Sequence, residues 1–227
     1  MNKFDVYIGI DPSINSTGVT IMLVNPSTLR GIEEQYYIVK GNRLTKKEKA
    51  AEETLRNFEY LLYEKMDLKG TDEYKREKYK AINLTNIANT ISINIQLLLD
   101  VWKVKYEDDY IGDIFCCMEG ISYGSIHSSA VMDLAGLNYL IRSIIMKTVQ
   151  YNLYVCPPTQ IKMFATGVGN AKKEQMVESF VSIHPEMKQI PKNDDLADSY
   201  FMCKWMLNHN NIQLIEDKDF VESEIPF

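Results

Sequence analysis

The chain has 227 residues, 45% hydrophobic and 25% charged, which is the composition of an ordinary globular protein with a sizeable core and excludes a disordered or fibrous one. A formal net charge of −6 speaks at first against a nucleic-acid partner, yet residues 216–227 alone hold Glu216, Asp217, Asp219, Glu222 and Glu224 against Lys218, leaving the remainder near neutral with Lys clusters. The N-terminal MNKFDVYIGI lacks the pattern of a signal peptide and no uninterrupted apolar run approaches a membrane span, so a cytoplasmic protein without membrane contact is expected.

In chain order, FDVYIGI (4–10) and TGVTIMLV (17–24) predict two strands joined by the turn 12–16, and YYIV (36–39) a third, an antiparallel start to a sheet. Thr45-Lys46-Lys47-Glu48 has the form of a capping box and predicts a helix carrying Leu55, Phe58, Leu62 and Met66 at helical spacing. Residues 68–80 alternate in charge without apolar period and are expected as a solvated connector or exposed helix extension. Ile87, Ile91, Ile95, Leu98, Leu99 and Trp102 then mark one face of a helix over 84–103.

IFCCME (114–119) fits a strand buried on both faces. A helix over 128–149 carries the apolar stripe Val131, Leu134, Leu137, Ile141 and Ile145, and NLYVC (152–156) is a strand stopped by Pro157-Pro158. TQIKMFA predicts a short helix and TGVGNA a loop, followed by helices over 171–183 and 195–209. Strands and helices in this order point to α/β with a mixed sheet. Cys116, Cys117, Cys156 and Cys203 lie in apolar stretches without CxxC spacing and read as small buried thiols, while His127, His184 and His209 stand apart from one another.

Two strands end in an acid, Asp11 and Glu119. In NDDLADSY (193–200), Asp195 and Asp198 are i, i+3 and share a helix face, and Asp194 and Asp198 share it nearly as well. Taken singly, Asp11 before Pro12 reads as a turn residue, the Asp pair as helix-capping charge and Glu119 as a surface residue. If the strand ends and the helix converge, three or four carboxylates meet and repel one another. A hard divalent cation, Mg²⁺ or Mn²⁺, relieves that repulsion.

The stretches GIDPSINSTG, CMEGISYG, QIKMFATGVGNAKKEQ and NDDLADSY resemble, in this order and spacing, the four motifs of the RuvC family of Holliday-junction resolvases. The match runs from Gly9 to about Tyr200, interrupted by a longer segment 40–112, and its third motif is the most specific. The resemblance implies a ribonuclease-H-like α/β fold: a mixed five-stranded sheet with helices on both faces, in a single nuclease domain over 1–227. Segment 40–112 would be a helical enlargement and 215–227 an acidic tail. It further implies metal-binding, catalytic acids at Asp11, Glu119, Asp195 and Asp198, two Mg²⁺ or Mn²⁺ ions per site, and a catalytic Lys173.

DNA contacts implied by the resemblance fall on Lys162, Lys172, Lys173 and Tyr123, with Ser122 alternatively at the place of the family's aromatic. The implied activity is paired nicking of four-way junctions or related branched DNA by a homodimer, in the cytoplasm (the host's, for a phage member). The apolar side of the helix over 128–149 serves as either dimer interface or core. One departure is Ser13, where the family has Gly. Two other readings compete: a protein that holds branched DNA without cutting it, and an actin-like nucleotide-binding protein, which would need a second domain and a second phosphate loop.

Overall fold

The computed structural model describes residues 3–107, 110–120, 129–149 and 151–214. Strands β1 (Lys3–Asp11), β2 (Thr17–Asn25) and β3 (Arg30–Gly41) form an antiparallel meander. Helix α1 (Lys46–Thr54), strand β4 (Phe58–Tyr63) and helix α2 (Glu73–Lys105) follow, then β5 (Tyr110–Glu119), α3 (Ser129–Thr148) and β6 (Asn152–Cys156). Helices α4 (Pro158–Thr166), α5 (Lys173–Ile183) and α6 (Asn193–His209) complete the order, with a short 3₁₀ turn at Pro185–Gln189. The sheet runs β4-β3-β2-β1-β5-β6, with β4 parallel to β3, β5 parallel to β1 and β6 parallel to β5.

Period-two alternation divides the core between the two faces of this sheet. Phe4, Val6, Ile8 and Ile10 of β1 pack with Cys116 and Met118 of β5 against Ile87, Ile91, Ile95, Leu99 and Trp102 of α2 and against α3. Tyr7 of β1 and Cys117 of β5 face the other way, into the layer with Met176, Phe180, Leu196 and Tyr200 of α5 and α6. All four cysteines are buried and free, with Cys117 and Cys156 Sγ atoms 3.1 Å apart on neighbouring strands.

The sheet has six strands, one more than expected, because β4 stands where the helix opened at Thr45 was expected to continue. Thr45 and Glu48 do form the capping box, but the helix ends at Thr54, with Leu55 already extended. Phe58, Tyr60, Leu61 and Tyr63 are buried in a strand paired to β3, and Leu62 of the supposed helical stripe is exposed. Short apolar runs fit either period, and the aromatic content of FEYLLY favours the strand.

Helix α2 begins at Glu73, eleven residues before the expected 84, capped by Asp72, whose side chain accepts from the Lys75 N–H. Its first turns are solvated on all sides, so no apolar period announces them. Helix α3 is long and apolar enough to cross a membrane by length and composition alone. Here Leu137, Ile141 and Ile145 are wholly buried in the core shared with α2 and the sheet, while Val131 and Leu134 of the same stripe are only partly covered.

Candidate active site

Parity and register place the first two acids. Asp11 shares its strand face with Tyr7 and Gly9, and Glu119 shares its face with Cys117, so both carboxylates belong to the α6 side of the sheet. The β1–β5 register pairs Gly9 with Cys117 and Ile10 with Met118, and carried on by one residue it sets Asp11 beside Glu119. Adjacent strands lie about 4.8 Å apart, so the two acids are immediate neighbours at the C-terminal ends of parallel strands.

Helix α6 supplies the other two. It crosses β1 and β2 so closely that a Cβ on Gly9 would lie 1.9 Å from the Ser199 carbonyl oxygen, and one on Gly18 2.0 Å from that of Asp195. These two positions admit only glycine, which explains both glycines of the GIDPSINSTG stretch. Lys192, with φ 62°, turns the chain into the helix, and Asp195 and Asp198 fall one turn apart on its inner face. Asp11, Glu119, Asp195 and Asp198 thus line one cleft of about 280 Å³, together with Lys162 of α4 and Lys173 of α5.

Burial and like charge set the proton affinities. Asp11 is pushed well above the ordinary carboxylate range by burial, then by Asp198, Glu119 and Asp195, with Lys173 opposing. Burial raises Glu119 against the pull of Lys162 and Lys173, and raises Asp198 to about 7, helped by Glu119. Asp195 reaches about 6, burial being offset in part by a hydrogen bond from Ser16. The Lys173 ammonium is raised by its 2.8 Å bond to Asp194 and by the acids behind it.

This donor set fits a hard divalent cation: anionic oxygens, short of counter-charge, in a half-open cleft. Among the described residues no three acidic, His or Cys side chains already enclose an ion as they stand. An ion held there by Asp11, Glu119, Asp195 or Asp198 would take its remaining ligands from water.

The remaining expected residues divide. Asp194 pairs with Lys173 and is absent from the cleft lining, which Asp195 joins. Lys172 is the exposed N-cap residue of α5, outside the cleft lining. Tyr123 and Ser122 lie outside the described residues. Ser13 is not left-handed, and its N–H and carbonyl both bond the Thr17 hydroxyl, so the turn closes without the family's Gly. In TGVGNA, Gly167 is left-handed because it caps α4, a local reason for that glycine.

Sequence reasoning missed Ser16 and Asn138. Ser16 Oγ donates to Asp195 Oδ2, and the buried Asn138 amide of α3 donates to the Glu119 carbonyl at 3.4 Å. Neither has a signal in its own neighbourhood, since both partners are distant in sequence.

A mixed sheet with antiparallel β1–β3 and parallel β5 and β6, helices on both faces, and acids at adjoining ends of β1 and β5 under a terminal helix decides the architecture. The fold is ribonuclease-H-like. No family model matches the sequence, and no curated protein matches it. Among solved structures the chain is similar to Thermus thermophilus RuvC, at 13% identity and a TM-score of 0.48, over 91% of this chain and 97% of that one. It is also similar to the Fowlpox virus resolvase in its complex with Holliday junction DNA, at 10% identity and a TM-score of 0.39, over 90% and 98%. The Mn-soaked human cytomegalovirus terminase nuclease domain aligns at 12% identity and a TM-score of 0.39, over 93% and 86%.

Proposed function

We propose that the protein is a metal-dependent, structure-selective DNA endonuclease that resolves Holliday junctions or related branched DNA by paired nicks, acting as a homodimer in the cytoplasm. The observation that carries this reading is the convergence of Asp11, Glu119, Asp195 and Asp198 from β1, β5 and α6 on one cleft flanked by Lys162 and Lys173.

In this reading the four acids hold one or two Mg²⁺ or Mn²⁺ ions, which when bound supply Lewis-acid stabilisation of a phosphoryl oxygen and a more acidic water. Asp11 and Glu119, on rigid strand ends, fix the floor of the site, and Asp195 and Asp198 close it from the helix. Lys162 and Lys173 oppose the charge that grows on the non-bridging phosphate oxygens. Lys173 is 69% exposed and held by Asp194, so its ammonium waits at the mouth of the cleft, where a phosphate would exchange for the Asp194 carboxylate.

The test uses a labelled four-way junction, a Y-fork and a linear duplex, each with Mg²⁺, Mn²⁺ or EDTA. Paired symmetric nicks in the junction are expected with metal only. Asp11→Asn is expected to abolish cutting by at least about 10³-fold while junction binding persists. Binding of the junction without cutting by the wild type in either metal refutes the nuclease reading in favour of a holding protein.

A further inference from the structure

We propose that Ser16 is a positioning residue that presents Asp195 for cation binding, an inference that rests on the metal-site reading above. Ser16 is 4% exposed in the β1–β2 turn and donates to Asp195 Oδ2 at 2.5 Å, while Asp195 itself is 8% exposed. The contact joins elements 179 residues apart, so nothing in the helix enforces it. Two residues further along, at the start of β2, Gly18 lets the Asp195 backbone carbonyl settle against that strand. Backbone and side chain of this one acid are therefore both held by the segment Ser16–Gly18.

The chemistry of the donor matters. A hydroxyl restrains the carboxylate's rotamer through Oδ2, yet leaves the negative charge in place and does not itself engage Oδ1. A lysine would cancel that charge, as Lys173 does for the adjacent Asp194. The two neighbouring acids are in this way given different work: Asp194 restrains an ammonium, and Asp195 is kept as an oriented anion. Another hydroxyl contact, Thr20 to Ser199 at 2.8 Å, ties the same helix to the same strand without touching an acid, and so separates helix docking from carboxylate orientation.

The experiment is calorimetric titration of the full chain with Mn²⁺, comparing wild type, Ser16→Ala, Ser16→Thr and Thr20→Val. Outer partners of metal ligands change affinity by about 10–100-fold, so Ser16→Ala is expected to weaken Mn²⁺ binding at least about tenfold. Ser16→Thr keeps the donor and is expected to stay within about threefold of wild type, and Thr20→Val to bind as wild type does. If Ser16→Ala does not fold, Ser16→Cys gives the same reading, being similar in size and a weak donor. Unchanged Mn²⁺ affinity in Ser16→Ala, or an equal loss in Thr20→Val, overturns the role of Ser16 while leaving the metal site standing. A wild type that takes up no Mn²⁺ overturns the metal site and this inference together.

Discussion

Chelating all divalent metal and raising the pH from 5 to 8 should destabilise this protein, and the size of the effect follows from the cleft. Asp195 is raised to about 6 from an ordinary 3.8. At about 1.4 kcal/mol per tenfold in proton affinity, ionising it costs the folded state about 3 kcal/mol relative to the unfolded chain. The protonated acid is favoured in the fold, so between about pH 4 and 7 the folded chain binds more protons than the unfolded one, and stability falls as pH rises. Asp198, raised to about 7, and Asp11 and Glu119 act in the same direction. Glu33 and Glu48, lowered against their burial by Lys105 and Lys40, act in the opposite sense at the acid end of this window, and the raised Lys3, Lys80, Lys105 and Lys173 titrate above it.

About half of this, about 1.4 kcal/mol, is lost between pH 5 and 8, the rest lying below pH 5, and for a chain of this length the Asp195 share alone corresponds to a fall of about 3–6 °C in the thermal midpoint. Differential scanning fluorimetry in EDTA across pH 5–8 reads it directly. Millimolar Mn²⁺ at pH 8 should recover the loss, because an ion that binds only the folded chain stabilises it by mass action. Asp198→Asn should flatten the pH dependence in EDTA by removing one of the repelling charges. A midpoint that is flat or rises from pH 5 to 8 in EDTA would mean that the four acids do not share a water-poor cleft, and the site would have to be abandoned.

Gly9→Ala and Gly18→Ala each push a methyl into a helix carbonyl at about van der Waals half-distance, and a loss of at least about 1–3 kcal/mol is expected by urea unfolding, with cleavage reduced as α6 is displaced. Lys173→Met should cut the junction about 10²–10³-fold more slowly with junction affinity little changed, as single-turnover rates would show. Asp194→Asn should cost under about 1 kcal/mol of stability, since its pair with Lys173 is exposed, and should leave Mn²⁺ affinity unaltered if Asp194 is no ligand.

Much of this architecture is legible in the sequence where one period dominates. The buried faces of β1, β2, α2 and α3 announce themselves because each packs a continuous apolar stripe. Legibility fails where local pattern and tertiary pairing disagree. Leu55, Phe58, Leu62 and Met66 imitate a helix, but β3 offers an open edge, and the aromatics of 58–63 bury better against it as a strand. The first turns of α2 carry no stripe because they face solvent throughout, and only the Asp72 cap marks their start.

The site divides along the same line. Each acid taken alone is better explained as a turn, cap or surface residue, and it is their common face that changes the balance. That face is fixed by parity for Asp11 and Glu119, which alternation along a strand makes visible in advance. The choice between Asp194 and Asp195 is of another kind: both sit in the first turn of α6, one residue apart, and no helical period separates them. It is made by Gly18, whose missing side chain admits the Asp195 carbonyl, by Ser16, which takes the Asp195 carboxylate, and by Lys173, which takes that of Asp194. Those three contacts come from two other parts of the chain, so which acid of the pair faces this cleft is a property of the packed helix and not of the motif that contains it.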